Sequence, residues 1–65
     1  MIFINLTKLN TGEELIVNAE RIEVLTAHGD NNTKLHFSQS EASLFVEESP
    51  KTIVKTIQNR NRNYD

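Results

Sequence analysis

The chain is 65 residues long, with no cysteine, two histidines and a formal net charge of −2. That length holds one domain, and the absence of thiols excludes disulfides and thiolate metal sites. The slight negative balance gives no general attraction to nucleic acid or to a membrane.

Ile2, Ile4 and Leu6 alternate with Phe3, Asn5 and Thr7, the period of two that marks a strand. Asn10-Thr11-Gly12 breaks it with turn residues, and Glu14-Leu15-Ile16-Val17-Asn18 resumes as a second strand, so the pair predicts a hairpin. Asn18 closes the next break. In Arg21-Ile22-Glu23-Val24-Leu25-Thr26, Ile22 and Val24 share one face and Arg21 and Glu23 the other. Residues 20–26 suit helix or strand, and β-branched Ile22, Val24 and Thr26 favour strand.

His28-Gly29-Asp30-Asn31-Asn32 reads as a long polar turn with a solvated histidine. Thr33-Lys34-Leu35-His36-Phe37 alternates again, Leu35 and Phe37 inward and His36 outward. After Ser38-Gln39-Ser40-Glu41, residues 42–47 form the last strand. Its run Leu44-Phe45-Val46 predicts cover on both faces, by a helix on one side and a partner chain on the other. Ser49-Pro50 is a helix start, with a hydroxyl cap and proline at the first helical position. Ile53, Val54 and Ile57 fall on one docking stripe, while Lys51, Lys55 and Gln58 point to water.

Consecutive strands joined by short turns pair with their neighbours. The expected fold is therefore mainly β (α+β). It is an antiparallel meander of about five short strands, curling by its twist into a small SH3-like open barrel, with one C-terminal α-helix. Residues 1–58 make the domain and residues 59–65, without apolar periodicity, a disordered tail. A domain this small buries only about 60% of the surface its unfolded chain exposes, so a homo-oligomer or a protein partner is the expected extra stabiliser. Met1-Ile2-Phe3-Ile4 lacks the basic flank and long apolar core of a secretory leader. No run approaches the roughly 18 apolar residues of a membrane span. The absence of cysteine suits a reducing compartment, and a cytoplasmic protein is expected.

Chemistry-bearing patterns are sparse. His28 and His36 lack neighbouring ligands at metal-binding spacing. Glu13-Glu14 and Glu47-Glu48 are adjacent on strands, where successive side chains point to opposite faces, and Glu20 and Glu23 also diverge. None of these pairs shares a cleft as acid–base chemistry requires. Ser38, Ser40, Ser43 and Ser49 lie outside any nucleophile-elbow pattern, and Gly12 and Gly29 do not write a phosphate loop. The expectation is a non-enzymatic protein with no cofactor and no metal. Phe3, Phe37 and Phe45 could stack nucleic-acid bases, but Phe37 and Phe45 have ready places in the core and the strand region is acidic. Lys51, Lys55, Arg60 and Arg62 make the helix and tail basic. Most simply these cations suit the helix dipole; they are also the candidate phosphate contacts.

Leu6-Thr7-Lys8-Leu9-Asn10, Asn18-Ala19-Glu20-Arg21-Ile22-Glu23 and Val46-Glu47-Glu48-Ser49, with Val54 and Ile57 beyond, resemble the FlbD/SwrD family of small bacterial proteins associated with flagella and swarming motility. The resemblance covers about residues 4–57. It departs in three turns: Thr11 intervenes where that family turns on Asn-Gly, His28 to Asn32 replaces a Pro-Asp turn, and Ser38-Gln39-Ser40-Glu41 stands where glycine is typical. It implies a non-catalytic accessory protein and transfers no catalytic residue. The expected working surface is a sheet edge or the Leu44-Phe45-Val46 strand, offered to itself or to a protein partner. Asn18 and Ser49 are expected to be structural. The alternative is a phage- or mobile-element-encoded oligomeric protein that sequesters a small-molecule ligand at a subunit interface or inhibits a host protein.

Overall fold

The computed structural model describes residues 1–62. Five strands and two helical segments follow one another: β1 (Phe3–Thr7), β2 (Glu14–Asn18), a 3-10 turn (Ala19–Arg21), β3 (Ile22–His28), β4 (Asn32–Phe37), β5 (Ser43–Val46) and α1 (Pro50–Arg62). The chain is thus mainly β with one C-terminal α-helix. All pairing within the two sheets is antiparallel, β1 with β2 in one and β3–β4–β5 in the other. Neither sheet is closed. Among the described residues they meet at one isolated bridge, Lys8 to Val46, beside which the Leu9 amide donates to the Phe45 carbonyl at 2.9 Å and the Glu47 amide to the Thr7 carbonyl at 2.8 Å.

The turns follow local chemistry. Asn10 and Gly12 both take the left-handed backbone around Thr11, and the Lys8 amide closes the loop on the Glu13 carbonyl at 2.8 Å. The Asn18 side chain accepts from the Glu20 amide at 3.1 Å and so caps the 3-10 turn, as expected of a turn-closing asparagine. Ser49 caps α1: its Oγ accepts from the Thr52 amide at 3.2 Å.

The core is built from alternate positions. Ile4 and Leu6 of β1, Val17 of β2, Leu35 of β4 and Val46 of β5 are buried with Ala19 and with Ile53 of α1. Ile2, Leu15, Ile22, Leu25, Phe37, Leu44 and Ile57 pack around them half-buried. Thr33 is buried too, its hydroxyl donating to the Glu48 carbonyl at 2.7 Å, so burial leaves that hydroxyl paired.

The strand favoured for residues 20–26 is present from Ile22 and runs on to His28, with a 3-10 turn before it at Ala19–Arg21. Three expectations are corrected. A bulge lies between Ile22 and Val24, so these two do not share a face. Ile22 packs on the core and Val24 is 47% exposed. Val54, placed on the docking stripe with Ile53 and Ile57, is 41% exposed. The helix continues through residues 59–62, which were expected in a disordered tail; the remainder of that tail, 63–65, lies outside the described residues.

Candidate functional site

Pairing on one side only leaves β3 as an edge of the three-stranded sheet. Five of its seven positions, Glu23, Val24, Thr26, Ala27 and His28, are exposed. Leu25 points inward, level with Leu35 of β4 and Leu44 of β5, and continues the apolar interior out to that edge. Helix α1 crosses beside it, anchored by Ile53 and Ile57. Between helix and edge lies a shallow groove of about 590 Å³, lined by Leu25, Pro50, Lys51, Val54, Lys55 and Gln58. Its floor is apolar. Lys51 and Lys55, one helical turn apart, set two ammonium groups along its side.

This arrangement sorts the expected site residues. Of the Leu44-Phe45-Val46 partner surface, Val46 is fully buried and Leu44 packs on the core, so Phe45 alone looks outward. That also corrects the placing of Phe45 in the core; Phe37 does pack there. The outer side of Phe45 is covered by its own chain. The His28 ring lies 4.7 Å away, tilted by 58°, and Lys34 Nζ sits 5.8 Å from the ring centroid. Lys34 is the cross-strand neighbour of Phe45, so the cation–π contact follows from register. His28 ends β3 against this aromatic and is not simply a turn residue.

The candidate phosphate contacts separate. Lys51 and Lys55 line the groove. Arg60 is exposed, five residues past Lys55 and therefore about 140° further around the helix. The backbone of Arg62 is helical and its side chain lies outside the described residues. Lys51, Lys55 and Arg60 therefore form no continuous stripe.

His36 does point outward, and its Nδ1 lies 3.4 Å from Ser43 Oγ. That distance is long for a hydrogen bond. Among the described residues no group of three or more His, Cys, Asp or Glu is placed to hold a metal ion, and no helix is long and apolar enough to cross a membrane. Glu48 clamps the end of β1. Its Oε1 accepts from the Thr7 amide at 3.0 Å and its Oε2 from the Thr7 hydroxyl at 2.9 Å. In the sequence Glu47-Glu48 are only adjacent carboxylates of a strand, and nothing local announces this clamp, since its partner is 41 residues away. Leu25 was missed for another reason. The bulge that turns it inward carries no glycine to announce it.

Comparison of the chain with protein-family models, with curated proteins and with solved structures returns no match.

Proposed function

We propose that this is a non-catalytic interaction module, a motility-type accessory protein of the FlbD/SwrD kind, working in the cytoplasm by binding protein. The observation that carries the binding role is the continuity of the exposed β3 edge with the apolar groove under α1. An extended segment laid along such an edge gains backbone hydrogen bonds, and the groove accepts an apolar side chain from it. Lys51 and Lys55 favour a segment that carries negative charge.

Two further observations support the family reading. Left-handed Asn10 and Gly12 flank Thr11 where that family turns on Asn-Gly. Left-handed Gln39 stands in the turn where that family carries glycine. The overall shape is read as an SH3-like open barrel, since the Lys8–Val46 bridge gives a strand order β2-β1-β5-β4-β3 with its seam left open between β2 and β3.

The test is a solution-mass measurement joined to mass spectrometry of what co-purifies with the folded chain. The expected result is an assembly heavier than one chain, or a co-purifying acidic protein that is lost when Lys51 and Lys55 are both changed to Glu. A clean monomer with nothing bound overturns the proposal.

A further inference from the structure

The open edge is more specific than a general docking strip. We infer that its occupant is β3 of a second copy, paired antiparallel about a two-fold axis through Thr26; this rests on the interaction reading above. Open edges are ordinarily guarded by proline, lysine or bulges. β3 carries neither proline nor lysine, and its bulge is confined to the stretch between Ile22 and Val24. Residues 24–28 run in regular register with β4 and leave a straight free edge whose midpoint is Thr26.

Pairing this stretch with itself explains three exposures at once. Leu25 comes opposite Ala27 of the second copy. Ala27 lies on the core-facing side, level with buried Thr33, yet is exposed in one chain. Its cover becomes Leu25 of the other copy. Val24, 47% exposed on the outer face, comes opposite His28, itself exposed. Thr26 meets Thr26, a favourable cross-strand pair.

Charge supplies the complementarity. Arg21, at the end of the 3-10 turn just before β3, and Asp30, in the β3–β4 turn, flank the pairing stretch, so antiparallel pairing brings the Arg21 end of one copy to the Asp30 end of the other. Both are exposed, and neither has an ion-pair partner among the described residues. The two-fold axis makes this contact twice. The product is one six-stranded sheet.

The chain has no cysteine, so one introduced thiol reads the register directly. Opposed residues of an antiparallel pair have Cα atoms about 4.5–5.5 Å apart, within the span a disulfide bridges. Under mild oxidation Thr26→Cys is expected to yield a covalent dimer, while Ile16→Cys on the other sheet's edge stays monomeric. Mixing Val24→Cys with His28→Cys is expected to give the heterodimer in preference to either homodimer. Arg21→Asp is expected to weaken dimerisation roughly tenfold, and adding Asp30→Arg to restore it. Circular dichroism of each variant separates loss of pairing from loss of fold.

A monomer in sedimentation at about 0.5 mM protein overturns the inference. So does cross-linking of Ile16→Cys as efficient as that of Thr26→Cys. A monomer that still binds a different protein through the Lys51/Lys55 groove rejects the second copy as occupant and leaves the interaction reading standing.

Discussion

Glu48 joins three parts of the chain that are far apart in sequence. Its carboxylate takes both donors of Thr7 at the end of β1, and its carbonyl takes the buried hydroxyl of Thr33 on β4. Hydrogen bonds to a charged acceptor each contribute about 1.5–3 kcal/mol, and an abandoned donor adds a penalty. Both bonds are only part-buried and belong at the low end of that range, so Glu48→Ala is expected to destabilise the fold by about 3 kcal/mol, and Glu48→Gln by about half as much, because the amide keeps one acceptor. Urea unfolding at fixed protein concentration measures it as a lower midpoint with an unchanged slope. Gln39 illustrates the opposite case. At φ 62° it holds a backbone that costs a side-chain-bearing residue roughly 1 kcal/mol more than glycine.

At the scale of elements, α1 divides its apolar residues between two roles. Ile53 is fully buried and ties the helix to the sheets, whereas neighbouring Val54 lines the open groove. Ile53→Ala is expected to cost roughly 2–4 kcal/mol. Val54→Ala, truncating a half-open side chain, should cost under about 1 kcal/mol. Thermal unfolding of the two variants side by side checks the contrast. Much of this architecture is legible in the sequence. The alternation in β1 and β4 marks Ile4, Leu6 and Leu35 as interior, and Ser49-Pro50 marks the helix start, because each is a local rule that the tertiary structure respects. Three features are not legible for physical reasons. The bulge before Val24 uses an ordinary glutamate. Phe45 is as apolar as its buried neighbours, and only strict alternation sends it outward. The last turn of α1, residues 59–62, is held by backbone bonding without any apolar periodicity to show it. The groove follows from the bulge, so it too was hidden, although Lys51 and Lys55 were visible as a basic pair.

For the whole molecule, most strand pairing is local. β1–β2 and β3–β4 are hairpins, and β4–β5 spans a short turn. The exception is the seam where Lys8 meets Val46 and Glu48 holds Thr7, across 41 residues. Joining such distant segments carries a loop-closure cost that the hairpins avoid. The hairpins are therefore expected to form early and the seam late. On that ordering, Glu48→Gln, which loosens the hold on Thr7, speeds unfolding in a stopped-flow chevron and leaves the refolding arm nearly unmoved; slowed refolding would place the seam in the nucleus instead. A latch that engages last is also the first to let go. The lifetime of the native state is then governed by a few bonds between the first ribbon and the residues just before the helix, and strengthening that one closure would slow unfolding without altering the surfaces the protein presents.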